Sequence, residues 1–439
     1  MLQFLYFPLY VFYLAAFLLV IFRFGFFDIP ELKKTQLACL FLLKVVGGFM
    51  LTWVYTYYYT DPSKADIYRY FNDSKIISHL LFSHPIDWLK IMMGVGTYDV
   101  STFGHLQNTQ YFSHPVADAI TNNTLLIRFI SLLNYFSFYN IYINTLLLNF
   151  ITFISLVLLF KVLVPYFAAF PQMLCWPLFL IPSVVFWSSG LLKESVFFIG
   201  ISLFIFASLH CKRLLKSFVI VLLSIAIIGF TKIYVAGILL FCSGFLLGGS
   251  KLNLSTKAVF ALTVTLYAVV IVLVWQFAGG YIFHTLMDKR NEFISLAAME
   301  HSGSILETKL VTDDCVSIAA LLPSAFYNSV LRPCLWDSGP VLQRLFALEN
   351  SLFIVSQIIL LVFFFRLPKG NAIWLALFCF LFGMLNYAAI GLTVPVLGAI
   401  VHYRIIAMPF LAISVLLMTD MAKLRLSLAW LGSFLKIKN

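Results

Sequence analysis

The chain has 439 residues, of which 62% are hydrophobic and only 11% are charged. This composition excludes a soluble globular domain and a disordered chain, because several apolar runs approach the length that crosses a bilayer. The runs are continuous rather than alternating, which favours helices whose backbone polar groups are satisfied internally. We therefore predict an all-α, polytopic transmembrane helical bundle that forms one integral membrane domain over residues 1–439.

The apolar runs predict about eleven membrane helices. They cover roughly residues 2–22, 36–57, 140–164, 173–188, 195–210, 217–231, 233–249, 258–278, 349–366, 372–391 and 403–420. Two long polar segments, 58–139 and 279–348, interrupt the series. We expect both segments to be loops that carry short amphipathic helices, such as 76–92 and 124–136, lying at the membrane interface.

The distribution of Lys and Arg predicts the orientation of the chain. With this series of spans, one side of the membrane receives fifteen basic residues against three acidic ones, Asp28, Glu31 and Asp420. The positive-inside rule makes that side cytoplasmic, so we predict the N-terminus and both long segments outside and the C-terminus in the cytoplasm. This orientation explains the net charge of +11, and we predict no nucleic-acid partner. Lys44 lies inside a predicted span, where it either snorkels or faces the bundle.

The cysteines and histidines show no spacing that is typical of a tight metal site. Cys315 and Cys334 share the second long segment and could form a disulfide there. Asp61, Asp66 and Asp73, in the first long segment, could together hold a divalent cation loosely. A divalent cation is therefore the one cofactor that these residues leave open.

Five polar segments are predicted to meet the outer face of the membrane. Their ionisable and aromatic members are Asp61, Asp66, Tyr68, Arg69 and Asp73; Lys193 and Glu194; Lys232; Arg332, Trp336 and Asp337; and His402 and Arg404. Such groups are costly at a membrane boundary unless they are paired, so they are functional candidates. The four basic residues of the later segments suit the binding of phosphate or pyrophosphate. A carboxylate of the first segment, Asp66 before Asp61, suits a general base, and the other members are expected to contact the substrate.

Each candidate also has a structural interpretation. Asp61 precedes a proline and could cap a helix, and Asp66 could form an ion pair on one helix face. The Lys-Glu pair at 193–194 could be a solvated turn, Lys232 could snorkel, and Arg404 could anchor the chain at the interface. The predicted convergence of five segments on one face favours the functional interpretation.

Three short motifs stand in the later segments. They are Pro182-Ser-x-x-Phe-Trp-Ser-Ser-Gly-x-x-Lys-Glu194, then Arg332-Pro-x-x-Trp-Asp337 followed by Ala347-Leu-Glu-Asn350, and Tyr403-Arg-x-x-x-x-Pro409. With these motifs, roughly residues 60–410 resemble bacterial polytopic proteins of surface-polysaccharide clusters. The resemblance is to membrane glycosyltransferases of the GT-C type and, more loosely, to O-antigen polymerases.

The resemblance implies a glycosyltransferase of the bacterial inner membrane that takes sugar from polyprenyl phosphate or pyrophosphate on the outer face. In GT-C enzymes an acidic residue of the first large outer loop is the catalytic base, and Asp61 or Asp66 corresponds to it by position. Basic residues near the outer ends of later helices bind the lipid phosphate. In O-antigen polymerases outer-loop arginines have the main role, which Arg69, Arg332 and Arg404 would fill. The chain departs from the GT-C pattern because its loop follows the second predicted helix and has no adjacent pair of acidic residues.

The expected function is therefore a glycosyltransferase of surface-polysaccharide assembly. The first alternative is a repeat-unit polymerase that uses the same residues on a lipid-linked oligosaccharide. The second is a transporter or flippase for lipid-linked glycans, which predicts charged residues in both halves of the bundle. The expected partners are the polyprenyl-linked sugar or oligosaccharide, the lipid bilayer and other proteins of polysaccharide assembly.

Overall fold

A computed structural model describes residues 2–58, 61–113, 121–167, 169–211, 213–251, 256–299, 304–306, 315–337 and 339–427. These residues form helices joined by turns, with only isolated β-bridges and no strand among them. The prediction of an all-α chain is confirmed. The helices are α1 (Leu2–Arg23), α2 (Lys34–Trp53), α3 (Asp66–Ser83), α4 (Pro85–Met93), α5 (Val100–Gly104), α6 (Asn122–Ser137), α7 (Ile141–Leu163), α8 (Pro182–Trp187), α9 (Lys193–Leu209), α10 (Leu214–Thr231), α11 (Ile233–Lys251), α12 (Thr256–Met299), α13 (Cys315–Phe326), α14 (Val341–Phe363), α15 (Asn371–Thr393), α16 (Leu397–Tyr403) and α17 (Met408–Leu417).

Within the described residues, six helices are long and apolar enough to cross a membrane. They are Tyr6–Arg23, Lys34–Tyr58, Ile141–Phe167, Leu214–Thr231, Val341–Phe363 and Asn371–Thr393. The bent pair α16 and α17, which meet at 50°, would make a seventh span. These helices indicate a multi-pass membrane protein, whereas the predicted count of about eleven is not confirmed.

Prolines explain one difference from the predicted spans. The predicted helix 173–188 is divided into a 3₁₀ turn, a π-turn at Trp176–Leu180 and the six-residue α8. Pro177 and Pro182 stand in this stretch, and proline lacks the N–H that a continuous helix needs. The second long segment also differs from the prediction, because α12 continues as one helix to Met299 and α13 follows. Much of the predicted loop 279–348 is therefore helical.

The chain divides into two compact units. The first contains Met1–Val162 and Val185–Ala236, and the second contains Leu163–Val184 and Gly237–Asn439. The prediction of one membrane domain stays a prediction.

In the first unit, aromatic rings join α1, α2 and α7. The rings of Phe17 and Phe150 stack with their centroids 4.1 Å apart, and Phe41 lies 5.3 Å from Phe150. Gly48 allows α2 to approach the turn after α8, because an added Cβ there would lie 2.7 Å from the carbonyl oxygen of Ser189. This turn leads directly into α9, which carries two of the candidate site residues.

Lys44 also links α2 to this turn. Its Nζ donates to the carbonyl oxygen of Ser188 at 3.2 Å and to the hydroxyls of Ser188 and Ser189 at 2.8 and 3.0 Å. The side chain is buried. Of the two predicted positions for Lys44, the structure has the one that faces the bundle.

Helices α3 and α6 run parallel, side by side. Tyr70 donates to Asn123, and Ser78 donates to the carbonyl of Ser131, so both contacts join residues 53 apart. The amphipathic stretch predicted at 76–92 is divided at His84 between α3 and α4. The stretch predicted at 124–136 lies within α6, so the first long segment is largely helical as well.

In the second unit, Phe378 and Phe382 of α15 pack edge-to-face against Phe410 of α17. Gly391 contacts the backbone of Ala325, so α15 and α13 cross with no space for a side chain at that position. The break between α16 and α17 is a 3₁₀ turn at Arg404–Ile406.

Candidate functional site

Asp66 is the first residue of α3 and is exposed. Ala65 before it is extended, so the helix begins at the carboxylate, where a negative charge is favourable at the N-terminus. The hydroxyl of Tyr111 donates to Oδ1 of Asp66 at 3.4 Å. Arg69, one turn further along α3, hydrogen-bonds to the same tyrosine. Tyr111 therefore contacts both the carboxylate and its neighbouring cation.

Asp73 holds Tyr111 in this position. Its carboxylate is buried and accepts hydrogen bonds from the backbone N–H groups of Gln110 and Tyr111, both at 2.9 Å. Burial raises the pKa of Asp73 above its usual value, and the two backbone hydrogen bonds partly oppose that rise. The Tyr111 ring stacks on Tyr70 with a centroid distance of 5.4 Å.

The phenol of Tyr111 is a hydrogen-bond donor at neutral pH. Burial and the charge of Asp66 raise its pKa well above the usual range, although Arg69 opposes this rise. Sequence reasoning did not identify Tyr111, because it lies 45 residues from Asp66 in a polar stretch that has no motif.

Glu194 and Lys232 form a buried ion pair. Nζ of Lys232 lies 2.7 Å from Oε1 of Glu194, and their side chains are 8% and 2% exposed. The interpretation of the 193–194 pair as a solvated turn is therefore wrong for Glu194, and Lys232 points to Glu194 instead of snorkelling. Lys193 is half-buried, with Nζ 6.0 Å from the centre of the Tyr70 ring.

The charge of Asp66 also acts on Lys232. The structure thus brings three of the five predicted segments together in the first unit. We name this group the α3 cluster; its members are Asp66, Arg69, Tyr70, Tyr111, Lys193, Glu194 and Lys232. It contains three cations and two carboxylates, so one positive charge is in excess. Such a group can attract a phosphate while it keeps a carboxylate accessible.

Asp61 and Tyr68 have local structural contacts. Oδ1 of Asp61 accepts from the N–H of Ser63 at 3.0 Å and from its hydroxyl at 2.6 Å, so the predicted cap is present. The hydroxyls of Tyr68 and Thr56 lie 2.6 Å apart and join α3 to the end of the second span. Asp73 binds backbone amides, and in the part of the chain that the structure describes no three His, Cys, Asp or Glu side chains are grouped as metal ligands.

The other two segments lie in the second unit. Nη2 of Arg332 is 2.6 Å from Oδ1 of Asp337, which also accepts the N–H of Cys334 through Oδ2. Trp336 between them is exposed. Cys334 is a free thiol, and the side chain of Cys315 lies outside the described residues.

Arg404 is fully buried at the break between α16 and α17. Its Nη1 donates to the carbonyl oxygen of Arg332 at 2.9 Å, and Tyr387 and Glu349 interact electrostatically with its guanidinium. Such burial does not fit an anchor at the membrane interface. His402 is half-buried, and its ring centre lies 5.2 Å from that of Tyr403. Glu349 was not among the predicted site residues, although it stands in the quoted motif Ala347-Leu-Glu-Asn350.

Comparison of the chain with protein-family models, with curated proteins and with solved structures finds no match in any of the three.

Proposed function

We propose that this chain is a membrane glycosyltransferase that uses a polyprenyl-phosphate-linked or pyrophosphate-linked sugar. One observation carries the proposal: a continuous series of contacts, through Tyr111 and Tyr70, joins the exposed carboxylate of Asp66 to Lys193, which precedes the buried pair of Glu194 and Lys232. Transfer of a sugar from a phosphate needs a base for the acceptor and positive charge for the leaving group.

In the proposed reaction Asp66 takes the proton of the acceptor hydroxyl. The hydroxyl oxygen then forms the new bond to the anomeric carbon, while the bond from that carbon to the phosphate oxygen breaks. Arg69 and Lys193, the two cations of the cluster outside the Lys232–Glu194 ion pair, hold the departing lipid phosphate. Tyr111 orients the carboxylate through its hydrogen bond.

A repeat-unit polymerase is the second candidate, because Arg69 is placed in the α3 cluster beside Tyr111. Such an enzyme would transfer a whole lipid-linked oligosaccharide with the same residues. The flippase alternative has less support, because it predicts charged residues along a pathway through both halves of the bundle. Lys44 is the main charged residue outside the predicted outer half, and it is buried against Ser188 and Ser189.

The proposal can be tested by identifying the lipid-linked glycans that accumulate in a strain that lacks this protein. A truncated unit supports a transferase, a complete single unit supports a polymerase, and a complete unit retained on the cytoplasmic leaflet supports a flippase. Complementation with Asp66→Asn should restore no product at unchanged protein level. Asp61→Asn is the matched control, because Asn caps as well as Asp, and it should restore product. Full product with Asp66→Asn would overturn the carboxylate mechanism.

A further inference from the structure

One face of α4 is apolar and open. Ile86, Leu89 and Met93 recur at spacings of three and four residues, so they share one side of the helix. They are 73%, 55% and 65% exposed. The inner side of α4 is packed, since Ile91 is fully buried. Its carbonyl oxygen accepts a hydrogen bond from Nε of Arg128, in α6, at 2.6 Å.

Helices α3, α4 and α6 form a layer that contacts the first two membrane spans. Tyr68, near the start of α3, bonds to Thr56 at the end of the second span. Near the other end of the layer, the carbonyl of Phe136 accepts from Tyr13 at 2.9 Å, and Tyr13 lies in the N-terminal half of the first span. Because α3 and α6 are parallel neighbours, the layer joins the end of the second span to the N-terminal half of the first.

Contacts at both ends hold α4 within this layer. Phe82, just before α4, packs edge-to-face on Tyr135 of α6, with 5.9 Å between ring centres. Arg128, two turns back along α6, binds the end of α4. The helix therefore runs antiparallel to α6, and it begins beside the end of α6 that contacts Tyr13 of the first span.

We propose that α4 is a membrane-surface helix whose Ile86, Leu89 and Met93 face is inserted in the lipid leaflet around the N-terminal half of α1. Lipid is the occupant that the structure favours, because Phe136 of α6 and Phe12 of the first span, on either side of the Tyr13 hydrogen bond, are also exposed apolar side chains. Lys90 flanks the face, as is common in helices that lie at a lipid interface. The inference does not depend on the proposed function.

Nitroxide labels on the chain in lipid vesicles test this inference. In a background with the seven native cysteines replaced by alanine, Leu89→Cys and Met93→Cys carry the label, and Gln107→Cys is the control on an exposed polar residue. We expect collisions with oxygen to exceed collisions with a water-soluble nickel chelate several-fold at 89 and 93, and the reverse at 107.

A second measurement keeps all native cysteines. A photo-crosslinking benzophenone amino acid in place of Leu89 should attach to lipid acyl chains, and the same group in place of Gln107 should not. Equal nickel access at 89, 93 and 107, with no lipid crosslink, would overturn the proposal. Broadening of the label spectra that disappears on dilution with unlabelled chain would also overturn it, because a second copy would then cover the face.

Discussion

The Nζ atom of Lys232 lies 2.7 Å from Oε1 of Glu194, and both side chains are more than nine-tenths buried. Removing one partner leaves the other charge buried and uncompensated, which costs about 3–5 kcal/mol. We expect Lys232→Met to lower the free energy of unfolding by an amount in this range. Glu194→Gln should cost less, because the charge of Asp66 still acts on Lys232.

Unfolding of the purified variants in one detergent measures these losses. The double variant Glu194→Gln/Lys232→Met should be more stable than Lys232→Met alone, because no isolated charge remains. The matched control is the exposed pair of Lys289 and Glu292, for which the corresponding substitutions should cost about 0–1 kcal/mol. Additive losses in the buried pair would show that the two residues are not coupled.

Tyr111→Phe is expected to reduce turnover without unfolding the chain. The substitution removes the hydrogen bond to Asp66 and keeps the ring that stacks on Tyr70. If the proposed function holds, a less well oriented base should lower kcat about tenfold, equivalent to about 1.4 kcal/mol, with little change in KM. Tyr68→Phe is the control, since it loses a hydroxyl contact with Thr56. Equal kcat values in the two variants would remove the positioning role of Tyr111.

The ion pair of Arg332 and Asp337 predicts a loss of stability in acid. Burial raises the pKa of Asp337, but the hydrogen bonds from Arg332 and from the Cys334 amide outweigh burial and lower the pKa below its usual value. The folded state therefore binds this proton more weakly than the unfolded state. The stabilisation is complete above the ordinary Asp pKa of about 3.9 and is lost as the pH falls through the lower folded value.

Thermal unfolding of the parent chain and of Asp337→Asn between about pH 7 and pH 3 measures this effect. The parent should be more stable at neutral pH, and the difference should shrink in acid. Asp99→Asn is a control in an exposed pair with Lys90. A difference between parent and Asp337→Asn that does not change with pH would contradict the assignment.

Lys44→Met should destabilise the turn that leads into α9. Methionine fills a similar volume, but it leaves the Ser188 carbonyl and two hydroxyls without the donor that they have now. We expect a loss of about 1–3 kcal/mol in the free energy of unfolding. Lys44→Gln keeps a donor and should lose less. Equal stability of the two variants would mean that hydrogen bonding at this position contributes little.

Part of the candidate site could be predicted from local sequence. Asp66, Lys193 and Lys232 stand out because an ionisable residue is rare in a chain with so few charges, and the structure does group these three. Their partners could not be predicted in the same way. Tyr111 and Glu194 contact them across 45 and 38 residues respectively, and contacts at such separations depend on how α3, α9 and α10 pack.

In the second unit, the sequence-based interpretation of Arg404 differs from what the structure shows. The position of Arg404 at the start of a predicted span indicated an interface anchor or a phosphate ligand. Its side chain is instead fully buried and donates to the backbone of Arg332, 72 residues away. A residue's place along a hydropathy profile gives its approximate depth, but it does not say whether the side chain faces lipid, water or another helix.

The sequence by itself determined that this is an all-α membrane chain, because hydrophobicity and helix formation depend on residues that are close together in the chain. The predicted helix 173–188 was wrong as a continuous span, because Pro177 and Pro182 divide it. Only the tertiary structure decided that Glu194 neutralises Lys232, that Asp73 places Tyr111 beside Asp66, and that α3 and α6 pack side by side in parallel. These relationships join distant segments, and the packing of side chains between helices decides which segments meet.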